Sequence, residues 1–241
     1  MAPAPDSQYT LRMTARVRYE LADSIATITL DDGKKNALSL DTFAELAAAF
    51  DRAAADGAVV LLTGRDGCFS AGFDLRALGA GGPEAGRLVL AGFRLAARVF
   101  AFPAPVIVAC TGHTIAMGLF LASTGDFRIG ASGAFKVGAN EVAIGLVLPA
   151  FATELLRNRL APTHFYRATT LAEMFTPDTA VAAGMLDRVV PPEELAATAR
   201  AVAVQASALS RTVFAATKLR ARAPAIEALR VALDVDAASL G

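Results

Sequence analysis

A short run of apolar residues that ends in a loop of small side chains constrains this chain more than any other stretch. Residues 58–64 are mostly apolar, and an Arg-Asp-Gly turn separates them from Phe-Ser-Ala-Gly-Phe-Asp-Leu at residues 69–75. Such a run, closed by turn residues, predicts a buried strand that leads into a tight loop. The small side chains of Ser70, Ala71 and Gly72 let a ligand approach the backbone, where an N–H group without a partner is a donor to an anion.

The order of the elements around this strand predicts the fold class. Residues 17–30 contain two apolar runs on either side of an Ala-Asp-Ser turn, which predicts a β-hairpin. Ser39 is a good N-cap for a helix with its apolar residues on one face, and the strand at 58–64 follows. A β-β-α-β order favours an α/β fold in which helices pack on sheets.

Composition excludes several classes of protein. Lys plus Arg and Asp plus Glu both number 23, so the charge gives no reason to expect a nucleic acid or a membrane surface as partner. The longest apolar stretch, residues 99–110, is too short to span a bilayer and contains two prolines. Residues 1–16 show no signal peptide, and two cysteines make no disulfide framework, so a cytoplasmic location is predicted. Hydrophobic content of 54% suggests surface that another subunit covers.

Two later segments contain further candidates for chemistry. Residues 112–123 predict a loop and a short buried helix, whose first N–H groups have no intrahelical acceptor. In residues 138–149, Glu141 is the only ionisable side chain, and its apolar neighbours predict a raised pKa that suits a general base. The structural alternative for Glu141 is a cap on the next helix. Residues 78–86, rich in glycine, predict a mobile surface loop. The helical tail that follows residue 190 is predicted to break near Ser210 and Pro224.

Three segments, taken in order, resemble the signature motifs of the crotonase superfamily, the enoyl-CoA hydratases and isomerases. Residues 70–75 match Ser/Ala-Ala-Gly-x-Asp-Leu, residues 112–126 match a glycine-rich pattern that ends in Asp, and residues 138–149 align with the loop of the catalytic Glu. The resemblance implies a crotonase-like spiral of repeated β-β-α units. It places the spiral core and the acyl-CoA site in residues 1–190, and a helical C-terminal region with a role in oligomerisation in residues 191–241.

The resemblance also implies which residues form the site. The backbone N–H groups of Phe73 and Met117 donate to the thioester oxygen, and Glu141 is the acid/base. The substrate-binding residues that it implies are Lys34, Lys35, Ala71, Gly72, Leu75, Arg76, Gly118 and Phe120. Phe73, Leu78, Phe93 and Phe120 are candidates for the acyl pocket. No metal or redox cofactor is expected, with coenzyme A present only as part of the substrate.

This sequence departs from the family pattern at two places. Ala116 and Met117 stand where glycines are usual, and a methionine there is able to narrow the pocket. The second Glu of the family's hydratases corresponds to Phe120, which can neither orient nor deprotonate water. The chain therefore looks most like the Δ3,Δ2-enoyl-CoA isomerases. The family resemblance also implies trimers or dimers of trimers. The alternatives are a hydratase that uses Glu84 and a non-catalytic acyl-CoA-binding subunit in which Glu141 is structural.

Overall fold

The computed structural model describes residues 16–240, so the predicted absence of a signal peptide falls almost wholly outside the described residues. The strands are β1 (Val17–Ala22), β2 (Ile25–Leu30), β3 (Ala37–Leu38), β4 (Val59–Thr63), β5 (Gly67–Ser70), β6 (Gly72–Phe73), β7 (Val106–Cys110), β8 (Gly112–Ile115), β9 (Phe127–Ala131), β10 (Val137–Gly138) and β11 (Arg188–Val190). The α-helices are α1 (Leu40–Asp56), α2 (Leu75–Gly79), α3 (Gly82–Phe100), α4 (Met117–Ser123), α5 (Ala150–Arg159), α6 (Pro162–Thr169), α7 (Pro177–Ala182), α8 (Pro192–Ser207) and α9 (Arg211–Leu240).

These strands form one large and two small sheets. The large sheet has the order β1-β2-β4-β7-β9-β11, and the small sheets have the orders β10-β8-β5 and β3-β6. Strands β1 and β2 are antiparallel, as the predicted hairpin requires, and the other pairs are parallel. Each β-β-α unit adds one strand to the large sheet and then one strand to a small sheet, as β7 and β8 do before α4. The predicted crotonase-like spiral of β-β-α units is confirmed.

The large sheet is covered on both faces. In β4, Val60 and Leu62 belong to the main core beneath α1 and α3, whereas Val59 and Leu61 belong to a second core beneath α8. A continuous apolar strand is typical of a parallel sheet buried on both faces. Within residues 16–240, no helix is both long and apolar enough to cross a bilayer.

The long C-terminal helix α9 packs on α3 and α5 and is tied to the end of α4 by buried charges. Lys218 Nζ lies 2.7 Å from Asp126 Oδ2, and Arg222 Nη2 lies 2.8 Å from Asp126 Oδ1. Arg222 and Arg159 also donate to backbone carbonyl groups of residues 123–125. Asp126 therefore has a structural role, because it pairs with two cations of α9.

Two local expectations are wrong. The predicted mobile loop at residues 78–86 is largely helical, because α2 extends to Gly79 and α3 begins at Gly82. Pro83 occupies the first turn of α3, where its missing N–H needs no partner. The sequence also predicts a break in the C-terminal helix near Pro224, but α9 continues through this proline. The ion pairs of Lys218 and Arg222 hold α9 before Pro224, and Leu229 packs in the main core after it.

Candidate active site

Three adjacent parallel strands of a small sheet end at the same edge, and each leads into one of the three motifs. Ser70 of β5 pairs with Thr114 of β8, and Ile115 of β8 pairs with Gly138 of β10. The residues that follow these strands, at 71–73, 116–117 and 139–141, are therefore brought together. A crevice at the carboxyl ends of parallel strands is a common ligand site in α/β proteins.

The backbone N–H groups of Phe73 and Met117 lie on neighbouring segments of this edge. A Cβ built on Gly72 would lie 3.4 Å from the Met117 nitrogen and 2.8 Å from Ala116 Cβ. The Asp74 N–H donates to the Leu38 carbonyl, and successive amides of an extended strand alternate, so the Phe73 N–H points away from β3. Met117 is the first residue of α4, where N–H groups have no intrahelical acceptor.

The residue that precedes α4 has a backbone conformation that favours glycine. Ala116 has φ 53° and ψ −126°, and it lines the cavity described below. The side chain of Met117 is instead fully buried in the main core, so it does not narrow the cavity. Strain of this kind is typical of functional sites and is held by surrounding contacts. Here the Ala116 N–H donates to the Gly138 carbonyl of β10.

Replacing Ala116 by glycine is expected to stabilise the protein. Ala116→Gly removes the steric cost of a positive φ. This cost exceeds the free-energy cost of the extra entropy of glycine in the unfolded chain, so the free energy of unfolding should rise by about 1 kcal/mol. The free energy of unfolding, measured by urea denaturation, checks the result. Ala134→Gly, at an exposed alanine with a negative φ, is the control and should give no gain. A loss of stability in Ala116→Gly would contradict the strain at this position.

A cavity of about 280 Å³ opens at this edge of the sheet. Its walls come from the β6–α2 segment, α3, the start of α4, the loop after β10 and the end of α9. The side chains and backbone that line it are Ala71, Phe73, Leu75, Leu78, Val89, Phe93, Ala116, Phe120, Asn140, Glu141, Ile144, Leu146, Val147, Pro149 and Leu240. All four residues predicted for the acyl pocket are among them.

Among the residues that the structure describes, Glu141 is the only ionisable side chain in this lining. It is 8% exposed, and within residues 16–240 its Oε2 atom has no hydrogen-bond partner. Desolvation raises the pKa of Glu141 to about 7. Its side chain makes no capping hydrogen bond to the 3-10 helix at Val142–Ile144, so the alternative role as a cap is wrong. A carboxyl group with this pKa can accept and return a proton near neutral pH.

Three aromatic rings, those of Phe73, Phe93 and Phe120, line the cavity. The ring of Phe93 lies 6.2 Å from that of Phe73, 6.4 Å from that of Phe120 and 4.9 Å from that of Phe151, measured between centroids. Phe120, on α4, is 1% exposed and lines the cavity. Apolar walls around a single buried carboxyl group suit an apolar ligand that carries few polar atoms.

The other residues implied by the resemblance occupy two kinds of place. Gly72 and Gly118 do not line the cavity but allow close packing: a Cβ on Gly118 would lie 2.5 Å from the Ser70 carbonyl oxygen. Lys34, Lys35 and Arg76 are exposed and lie outside the lining. The Lys35 carbonyl accepts from the N–H of Ala71, which lines the cavity, so the loop that contains Lys34 and Lys35 borders the cavity.

Asn36 supports the site in a way that sequence reasoning missed. Its side-chain Nδ2 donates to the carbonyl groups of Leu30, Cys68 and Phe69 at 2.9 to 3.1 Å, and it is 2% exposed. The Asn36 carbonyl accepts from Ser70 Oγ, which in turn accepts from the Gly72 N–H. An Asn after two lysines in a polar loop gives no sequence signal for these distant partners.

Removal of this amide is expected to destabilise the fold. Asn36→Ala leaves buried carbonyl groups without their donor, which is expected to lower the free energy of unfolding by about 3 kcal/mol. Asn158→Ala, at an exposed position of α5, is the matched control and should change the stability little. Urea denaturation of both variants checks this, and equal stabilities would exclude a supporting role for Asn36.

Comparison with known proteins identifies the family. A family model described as enoyl-CoA hydratase/isomerase matches residues 20–240. The chain belongs to the enoyl-CoA hydratase/isomerase family. This finding confirms the crotonase resemblance, and with it an enzyme family that acts on enoyl-CoA thioesters.

Relatives of this hydratase/isomerase family member carry both activities in their names. It is 28% identical to the human mitochondrial enoyl-CoA delta isomerase 1, over 91% of this chain and 74% of the relative. It is 31% identical to the probable enoyl-CoA hydratase EchA17 of Mycobacterium avium, over 71% and 67% of the two chains. An apo structure of the Mycobacterium tuberculosis enoyl-CoA isomerase is 43% identical, with a TM-score of 0.90 over 94% of this chain and 99% of that one.

Across residues 16–240, no group of three or more His, Cys, Asp and Glu side chains is placed to hold a metal ion.

Proposed function

We propose that this protein isomerises a 3-enoyl-CoA by moving the double bond from between C3 and C4 to between C2 and C3, with Glu141 as the single acid/base. The observation that carries the proposal is one buried carboxyl group in a largely apolar cavity, with a phenyl ring at position 120. By the family resemblance, the hydratases have a second Glu at this position, and a non-acidic residue here is typical of the isomerases. No cofactor is needed beyond the coenzyme A of the substrate.

The mechanism follows from the placement of these groups. The N–H groups of Phe73 and Met117 bind the thioester oxygen, and they bind it more tightly as negative charge develops on the enolate. One such donor is worth about 3 kcal/mol of transition-state stabilisation. The Glu141 carboxylate takes a proton from C2 of the 3-enoyl ester, the electron pair delocalises over C2, C3 and C4, and the same carboxyl group returns the proton to C4. The double bond then lies between C2 and C3.

Hydration of a 2-enoyl-CoA is the second candidate, and a name among the relatives favours it, since one is a probable hydratase. The predicted partner for Glu141 in that reaction is Glu84, which lies exposed in the first turn of α3 and does not line the cavity. In the third candidate, an acyl-CoA-binding subunit, Met117 closes the site. The burial of its side chain in the core argues against this candidate.

Product analysis in D₂O tests the proposal. Purified protein is incubated with a trans-3-enoyl-CoA and, separately, with a trans-2-enoyl-CoA, and products are followed by mass. The isomerase converts the 3-enoyl ester without forming a 3-hydroxyacyl-CoA. Ready hydration of the 2-enoyl ester would instead support the hydratase, and tight binding with neither turnover nor α-deuterium exchange would support the binding subunit.

We propose that the protein works as a homotrimer or a dimer of trimers. Support comes from exposed apolar side chains beside Glu141, among which Val147 is 90% exposed, since such residues are typical of covered surfaces. The molar mass in solution, measured by light scattering, tests this. The cytoplasmic location stays a prediction, and the human relative is mitochondrial by name.

A further inference from the structure

The last turn of α9 forms part of the cavity wall. Leu240 is half-buried and lines the cavity together with Leu78 and Val89 of α2 and α3. In the described part of the chain, no other lining residue comes from α9. Ninety residues lie between Leu240 and the preceding lining residue, Pro149, in the sequence.

Two contacts fix this turn in place. At Gly86, a Cβ would overlap the Leu240 carbonyl oxygen, so the missing side chain lets α9 lie directly against α3. One turn before Leu240, the buried carboxylate of Asp236 accepts from the N–H groups of Ala150 and Phe151 at 2.9 and 2.8 Å. These N–H groups lie at the N-terminus of α5 and have no acceptor within the helix, and a carboxylate is a strong hydrogen-bond acceptor for them.

The position of Leu240 along α3 shows which end of the cavity it closes. Phe93 contacts Phe73 and Phe120, and all three line the cavity with Glu141. Val89 is one turn from Phe93 on α3, and Gly86, against which Leu240 packs, is nearly one turn further. Seven residues of α-helix span about 10 Å, so Leu240 lies about that far along α3 from the aromatic cluster.

We propose that Leu240 is the wall that limits the length of the acyl chain, and that Gly86 and Asp236 are positioning residues that hold it. The inference rests on the proposed function, because it takes the acyl group of the substrate to extend along α3 from the amides of Phe73 and Met117. The acyl chain runs past Phe93 and Val89 and ends against Leu240. A chain longer than this path meets the end of α9 of the same subunit.

Acyl chain-length profiles test the proposal. Affinities for saturated acyl-CoAs, from butanoyl to hexadecanoyl, and kcat/KM for 3-enoyl-CoAs are measured on the full chain. Leu240→Ala lengthens the path and is expected to raise the ratio of long-chain to short-chain kcat/KM about tenfold or more, whereas Leu240→Phe lowers it. Gly86→Ala and Asp236→Asn release the turn and are expected to shift the profile in the direction of Leu240→Ala, with kcat for the shortest substrate retained.

A matched control is Val235→Ala, an apolar truncation on the exposed face of the same helix. It is expected to leave the profile unchanged. If the protein turns over substrate but neither Leu240→Ala nor Leu240→Phe changes the acyl chain-length profile, the inference is overturned and the proposed function stands. Binding without turnover, with a profile that these variants shift, would overturn the proposed function alone. Failure of the unsubstituted protein to bind any of these acyl-CoAs would overturn both.

Discussion

Glu141→Gln is expected to lower kcat about 10³-fold while leaving the affinity for acyl-CoA nearly unchanged. The substitution keeps the shape of the side chain but removes its ability to take a proton, and a general base contributes about 10² to 10⁴ in rate. In the unsubstituted enzyme, kcat/KM should rise with pH through about 7, where Glu141 ionises. Single-turnover kinetics and calorimetric titration with a saturated acyl-CoA separate the two effects.

The same variant is expected to gain stability at high pH. Burial raises the pKa of Glu141 from 4.5 to about 7, so the folded protein binds a proton more tightly than the unfolded chain. Stability is therefore lost as the pH rises from about 4.5 to about 7, by about 3 kcal/mol in total. Glutamine does not titrate, so the difference in free energy of unfolding should grow across this window and stay constant above it.

Glu154→Gln provides the control for both measurements. Glu154 lies on α5, is partly exposed and does not line the cavity. Its substitution should leave kcat unchanged and should not reproduce the growth of the stability difference between pH 4.5 and 7. Retained turnover in Glu141→Gln would show that another group moves the proton. A stability difference that does not change with pH would show that Glu141 is not desolvated.

Gly118→Ala is expected to lower kcat/KM about 10²-fold or more. The new Cβ would lie 2.5 Å from the Ser70 carbonyl oxygen and 2.8 Å from Ser70 Cβ, so α4 must move away from β5. The Met117 N–H moves with α4, and the Phe73 N–H stays with the segment after β5. Loss of alignment of one donor costs about 10² to 10³ in rate.

Gly79→Ala is the matched control, because a Cβ at this helical position meets nothing within 4 Å. It should retain full activity. Since overpacking also costs about 1 to 3 kcal/mol of stability, kcat/KM is compared at a temperature where circular dichroism shows both variants to be folded. A folded Gly118→Ala protein with unchanged kcat/KM would show that the distance between α4 and β5 does not set the positions of the donors.

Sequence reasoning predicted the elements whose signals are local. The strand at residues 58–64, the buried helix after residue 112 and the isolation of Glu141 are each visible within about a dozen residues, and the structure places the three motifs at one edge of a sheet. The contacts of Asn36 and Leu240 were not predictable, because each depends on partners far away in the sequence. Helix α9 illustrates the same limit, since Pro224 is a local signal for a break that tertiary packing overrides.

The ion pairs of Asp126 have a consequence for the order in which the protein matures during synthesis. Asp126 is made long before Lys218 and Arg222, which neutralise it. The start of α5 is likewise made long before Asp236, which caps it. A nascent chain that has emerged only as far as α8 contains the strands of the sheet, but its Asp126 carboxylate lacks both cationic partners. The Leu240 wall of the cavity is in place only after α9 has left the ribosome and docked on α3 and α5, so a nascent chain that ends in α8 has an incomplete cavity.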